Sequence, residues 1–163
     1  MTYGAFQTAV TRLEKRTSGV LMDGLNADTD NKIVETAAGV IPGVVVSRGT
    51  DPDSQIVLGV STVVLGIVVR TGDANGALGS EVTNTPVYAQ YEVANVLRRG
   101  YIWAYTTGVA FAGSEAISVV DATGVLKLGA AGVGETDLTN IVLETTMAAA
   151  GVALFRIKDE FGI

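Results

Sequence analysis

The expected fold depends on one stretch, PVYAQYEVANVLRRGYIWAYTTG, which runs from Pro86 to Gly108. In its first half, apolar residues stand at most odd positions from Val87 to Leu97, with mixed or polar residues between them. Side chains two apart share one face of a strand, so this pattern predicts a strand that buries its odd face. The triplet Arg98-Arg99-Gly100 then predicts a tight turn, and the aromatic run after it predicts a second strand. We therefore expect a hairpin at the centre of a β-domain.

Short apolar and β-branched runs recur on both sides of this stretch, with turn signals between them. They predict further strands at Ser18 to Met22, Val44 to Val46, Gln55 to Leu58, Thr62 to Arg70, Ala116 to Val120, Val125 to Leu128, Thr139 to Thr146 and Val152 to Ile157. No amphipathic pattern is long enough for the helices that cover a parallel sheet. The pattern thus predicts an all-β sandwich or barrel at residues 17–163, preceded by an N-terminal arm at residues 1–16.

The composition narrows the classes of function. The 163 residues are 48% hydrophobic and 17% charged, and the net charge is −6. A large apolar share with few charges suggests that a partner covers part of the surface, and an acidic balance argues against gripping nucleic acid. The chain has no cysteine and no histidine, so it lacks the commonest catalytic base and the commonest transition-metal ligands. Val57 to Val69 is too short and interrupted to span a membrane, and no signal peptide is visible.

Two polar or glycine-rich stretches and two pairs of acidic residues are candidate sites of chemistry. The loop Asp23 to Asn31 lacks the ligand spacing of a calcium loop, so turn formation by Asx side chains is the simpler interpretation. The run Gly129 to Gly134 has the composition of a phosphate loop but neither of the known glycine patterns, which predicts an interstrand loop. The acid pairs Asp137 with Glu144 and Glu92 with Glu115 could run acid–base chemistry, but no spacing selects either pair. We predict no catalytic residue, no cofactor and no metal.

The N-terminal arm differs from the rest of the chain in charge. It is locally basic on an acidic protein, with Glu14 as its one acid, and it carries a weak helical stripe of apolar residues. One interpretation is a short solvated helix or a frayed terminus. The other is an arm that docks on an acidic neighbour, with capsid or subunit contacts made by Phe6, Val10, Arg12, Leu13, Lys15 and Arg16.

Five stretches in this order resemble the structural cement, or decoration, proteins of tailed bacteriophage capsids. They are KIVETAAGVIPGVVVSRGTD (Lys32 to Asp51), VLGIVVRTGD (Val64 to Asp73), VLRRGYIWAYTTG (Val96 to Gly108), GVLKLGAAG (Gly124 to Gly132) and IVLETTMAAAGVALFRI (Ile141 to Ile157). The resemblance implies a jelly-roll-like β-domain that binds the outer face of a capsid and staples neighbouring capsomers. The implied partners are the major capsid protein and a second copy of the chain, with a homodimer favoured over a homotrimer; no nucleic acid or membrane is implied.

Other classes stay open at this stage. The second candidate is a carbohydrate-binding or host-adhesion module of a phage particle, for which Tyr88, Tyr101 and Tyr105 would be the exposed aromatics. A major capsid or tail-tube subunit would be expected to be longer and to carry long helices. An enzyme is the fourth candidate, disfavoured because histidine and cysteine are missing.

Overall fold

The computed structural model describes residues 18–22, 27–70 and 87–159. These residues contain ten strands and no helix, which confirms the predicted all-β sandwich or barrel. The strands are β1 Asp28–Val34, β2 Val45–Arg48, β3 Gln55–Leu58, β4 Val64–Val69, β5 Val93–Thr107, β6 Ile117–Val120, β7 Leu126–Leu128, β8 Glu135–Asp137, β9 Ile141–Leu143 and β10 Gly151–Ile157.

The first half of the fold is a closed five-stranded barrel. Its strands pair in the order β1-β3-β2-β4-β5, and β5 pairs back onto β1, so the ring has no free edge. Closure removes the unpaired backbone that invites aggregation at the edge of an open sheet. The barrel interior is filled by a small core of ten buried residues: Val34, Val40, Val44, Val46, Ile56, Leu65, Val68, Tyr88, Ala94 and Val96.

The second half is a curved sheet with the order β9-β10-β5-β7-β6-β8. Its inner face packs against the outer wall of the barrel, where Val45, Ile67 and Leu97 meet Phe155 and Ile102 in the larger core. Strand β5 belongs to both halves, since its first part pairs with β1 and β4 and its second part with β10 and β7. The two halves are therefore built around one shared strand.

The predicted hairpin at Pro86 to Gly108 is wrong, because residues 93–107 form a single strand of 15 residues. The triplet predicted as a turn is a β-bulge: Asp28 pairs with Arg99 and the next residue of β1 pairs with Leu97, which leaves Arg98 extra. Gly100 follows with φ of 131°, a conformation that glycine tolerates far better than other residues. Bulges and turns favour the same residue types, so the sequence of this triplet does not distinguish between them.

The predicted burial of the odd face alone fails as well, because both faces of β5 are covered. Even-numbered Ala94 and Val96 line the barrel, whereas odd-numbered Leu97 faces the larger core. Beyond the extra residue the alternation is reversed, and even-numbered Ile102 enters the larger core. Tyr91, which precedes the strand in a turn, is 73% exposed instead of buried.

Two further strands were missed by the sequence pattern. Residues 28–31 belong to β1 and not to the predicted polar loop, because they pair along β5 despite their acidic and amide side chains. Glu135–Asp137, between the predicted loop Gly129 to Gly134 and the predicted strand Thr139 to Thr146, forms β8 on the edge of β6. In both cases tertiary pairing overrides a weak local β-propensity.

Candidate functional site

Two loops meet beyond the end of β5 and form an exposed apolar surface. The loop after β5 and the loop before β10 are joined by an antiparallel bridge between Ala110 and Met147. The Ala110 amide donates to the Met147 carbonyl at 3.1 Å, and the Met147 amide donates back at 2.8 Å. We call the surface they carry the apolar tip, defined as Val109, Phe111, Ala112, Ala148, Ala149 and Ala150.

The tip has an inner and an outer side. Ala110 and Met147 turn inward and pack against the larger core. Val109 and Phe111, on either side of Ala110, point outward and are 65% and 81% exposed. The three alanines at 148–150 are exposed as well. The inner residues thus anchor a loop whose outer residues contact no core.

The two loops that form the tip carry no charged residue. No Asp, Glu, Lys or Arg occurs between Gly100 and Ser114 or between Thr145 and Phe155, on a chain of net charge −6. Large exposed apolar side chains that stand together without charged neighbours mark interaction surfaces more often than scattered ones do. Sequence reasoning did not single out this surface.

Residues 18–22, which follow the N-terminal arm in sequence, are bonded to β5. The Gly19 amide donates to the Trp103 carbonyl at 2.6 Å, and the Trp103 amide donates to Val20 at 2.9 Å. The Tyr105 amide donates to the Ser18 hydroxyl at 3.0 Å, and Leu21 bridges to Ile102. We call residues 18–22 the root of the arm. The predicted contact residues Phe6, Val10, Arg12, Leu13, Lys15 and Arg16 lie outside the described residues.

The three tyrosines weighed for carbohydrate binding do not form one platform. Tyr88 is 5% exposed, and its hydroxyl donates to the Val69 carbonyl at 2.9 Å inside the barrel. Tyr101 and Tyr105 lie on the outer face of β5 on either side of Trp103, and only Tyr105 is largely exposed. Burial of Tyr88 removes one of the residues on which that alternative depends.

A cleft of about 740 Å³ lies where β5 bends, lined on one side by Arg99, Arg156 and Lys158. Two of these three cations form ion pairs with carboxylates. The Arg156 Nε lies 2.7 Å from a Glu144 oxygen, and the Lys158 Nζ lies 2.7 Å from a Glu115 oxygen. The hydrogen bond from Lys158 holds the pKa of Glu115 below its usual range. These contacts are those of surface ion pairs, which stabilise modestly.

Each carboxylate of the acid pairs considered for catalysis has a local partner. Glu144 and Glu115 are engaged with the two cations just described, and Glu92 accepts the Ala89 amide at 2.8 Å. Asp137 accepts the Ala131 amide at 2.7 Å. Each of these carboxylates therefore makes a local structural bond.

The glycine-rich run before β8 is likewise occupied by side chains of this chain. The Gly132 amide donates to Glu135 at 2.7 Å, and Lys127 holds the same carboxylate at 2.8 Å. Those bonds keep the pKa of Glu135 low, the Lys127 contact contributing most. Amides that a phosphate would need are therefore satisfied internally.

In the described residues there is also no group of three or more acidic, histidine or cysteine side chains placed to hold a metal ion. None of these residues forms a helix able to cross a bilayer.

The described residues form an all-β body with an exposed apolar tip, a kind of surface that often marks an interaction site. The family model described as "Structural cement protein (E217 gp24/Pam3 gp6)" matches residues 6–158. The chain belongs to this family, and it is a cement protein of the phage capsid, located in the virion. The match begins inside the N-terminal arm, well before Lys32, where the resemblance seen in the sequence began.

A chain from a solved structure entitled "The capsid of Myoviridae Phage XM1" has a similar fold. The TM-score is 0.64 at 18% sequence identity, and the alignment covers 88% of this chain and 90% of that chain. At this identity the likeness concerns the fold alone. No curated protein sequence matches the chain.

Proposed function

We propose that this protein binds the outer face of a mature capsid shell as a homodimer and staples neighbouring capsomers, without catalysing a reaction. The observation that carries the proposal is the family match over residues 6–158, which includes most of the arm as well as the β-body. A symmetric oligomer that touches several shell subunits gains avidity from contacts that are individually modest. No substrate is needed for such a role.

The arm is proposed as one of these contacts. Its three basic residues Arg12, Lys15 and Arg16 would face acidic groups, and Phe6, Val10 and Leu13 would bury apolar area on the shell or on a neighbouring cement subunit. The root ties the arm to β5 through the backbone bonds to Trp103. The root is thus bonded to the strand that both halves of the fold share.

Deletion of residues 2–16 tests this role, because it removes the arm and leaves the root in place. We expect the truncated chain to keep its β-sheet circular dichroism spectrum and its thermal midpoint, since Ser18 to Met22 still pair with β5. Occupancy on shells assembled without the cement protein should fall markedly, as measured by co-sedimentation. Full occupancy by the truncated chain at equal concentration would reject the arm as a contact.

A pair of triple substitutions separates the two kinds of contact. Replacing Arg12, Lys15 and Arg16 by serine should weaken binding at low salt and leave little further loss at high salt, because screening already removes the ionic part. Replacing Phe6, Val10 and Leu13 by serine should weaken binding at every salt concentration. Equal salt dependence in both variants and the parent would contradict an ionic contribution from the arm.

A further inference from the structure

We propose that the apolar tip is a second contact with the shell, a preformed peg that inserts into an uncharged apolar depression on the outside of the capsid. The inference rests on the proposed capsid binding and names the surface that carries part of it. It assigns a role to Val109 and Phe111, which neither half of the fold uses for its own core.

Exposure of Phe111 has a cost that the fold itself does not recover. Its side chain is 81% exposed, whereas the other phenylalanine in the described residues, Phe155, is fully buried. A large aromatic ring held in water forgoes the burial that normally stabilises it. A partner that covers the ring would recover that free energy, which makes Phe111 the natural anchor of a contact.

The tip is held rigidly enough to act as a peg. Besides the bridge between Ala110 and Met147, the Ala112 amide donates to the Thr146 hydroxyl at 3.0 Å. The Gly113 amide donates to the Leu143 carbonyl at 2.6 Å, and the Leu143 amide donates to Ser114 at 2.9 Å. Ordering a flexible loop is a large part of the free-energy cost of association. A loop already fixed by these five hydrogen bonds therefore binds with a smaller ordering cost.

The size of the tip selects the shell over a second copy of the chain. Six exposed residues, four of them alanines, present a patch on the order of a few hundred Å². A stable dimer interface needs about 800 Å² from each partner, so the tip is too small to hold two copies together by itself. The tip is large enough to be one of several contacts on a multivalent surface, where individually weak contacts together give high avidity.

The tip lies close to the root of the arm. The root is bonded to β5 at Tyr105, and the tip begins directly after β5 ends at Thr107. At about 3.3 Å per residue, the two features lie roughly 10 Å apart along the strand. The root and the tip are therefore close enough to lie over one region of the shell. Because the tip carries no charge, the matching shell surface should be apolar and uncharged as well.

The test compares two full-length variants in which an exposed apolar residue becomes an acid. Phe111→Asp places a charge in the centre of the tip. Val133→Asp makes the same kind of change at a fully exposed residue in the loop between β7 and β8, where it serves as the matched control. Binding is measured by titration onto shells assembled from the major capsid protein without cement protein, together with the thermal midpoint and the mass of each free variant.

We expect Phe111→Asp to weaken binding by about 30-fold or more, the loss typical of a central aromatic anchor. Val133→Asp should bind as the parent does, and neither variant should change its thermal midpoint by more than a few degrees. Equal binding of Phe111→Asp and the parent would overturn the inference while leaving the proposed function intact. A change in oligomeric mass caused by Phe111→Asp alone would also overturn it, in favour of a contact between copies. If the parent itself fails to bind shells, the proposed function fails first.

Discussion

Phe155→Ala should destabilise this protein more than almost any other single truncation. Phe155 stands at the middle of β10, directly between Ile102 of β5 and Leu143 of β9, and is fully buried in the larger core. Burying such a ring contributes about 1.5–3 kcal/mol, and the cavity left by its removal brings the total loss to about 3–5 kcal/mol. Domains of this kind are stable by only about 5–15 kcal/mol, so the variant would lose a large share of its stability.

The assay is urea unfolding, followed by far-ultraviolet circular dichroism and by tryptophan fluorescence. The chain has a single tryptophan, Trp103, which lies next to Ile102 on β5 and is 9% exposed. It reports on the strand that both halves share. We expect the urea midpoint to fall, the slope to stay unchanged, and the two probes to coincide, because β5 belongs to both halves.

Phe111→Ala is the matched control, since it removes the same atoms from an exposed site. Its effect should stay within about 0.5 kcal/mol. Should Phe155→Ala fail to fold, Phe155→Leu should show a smaller loss of about 1–2 kcal/mol at the same site. A loss below about 1 kcal/mol for Phe155→Ala, or equal losses for both phenylalanines, would refute a core shared by the barrel and the second sheet.

Two further predictions concern the backbone and the carboxylates. Gly100→Ala should cost about 1–3 kcal/mol in the same urea assay, because alanine is strained at a φ of 131°; an unchanged midpoint would show that the bend tolerates a side chain. On acidification, the free energy of unfolding should stay nearly constant above about pH 4.5 and decrease below it. The Thr50 hydroxyl and amide lower the pKa of Glu35, and Lys127 lowers that of Glu135, so the folded state releases these protons more readily than the unfolded state. Glu35→Gln should flatten the decline of the urea midpoint between pH 5 and 3, and a parallel decline in variant and parent would contradict this contribution.

Much of the fold follows from local sequence patterns. The strand at Gln55–Leu58 was predicted with the bounds it has, and β4 lies inside the predicted run Thr62 to Arg70. Both are β-branched or apolar runs between turn signals, so local propensity and tertiary pairing agree. The hairpin failed for the opposite reason, because Arg98 and Gly100 form a bulge with residues that serve a turn equally well.

The sequence indicated one of the two candidate contact surfaces, the arm, and did not indicate the other, the tip. The arm drew attention because Arg12, Lys15 and Arg16 form a basic cluster on an acidic chain, a contrast visible along the sequence. The tip consists of two unremarkable apolar loops separated by more than thirty residues. It becomes one surface only when Ala110 pairs with Met147. The one signal in the sequence was the absence of charge in both loops.

The most direct test of the central claim adds the purified parent protein to cement-free shells and follows their thermal disruption by light scattering. A protein that binds the assembled shell raises its melting temperature in proportion to occupancy, by mass action. We predict saturable binding and a higher melting temperature that levels off at full occupancy. Shells that melt at the same temperature with and without the protein, at concentrations where it is soluble and folded, would contradict the account.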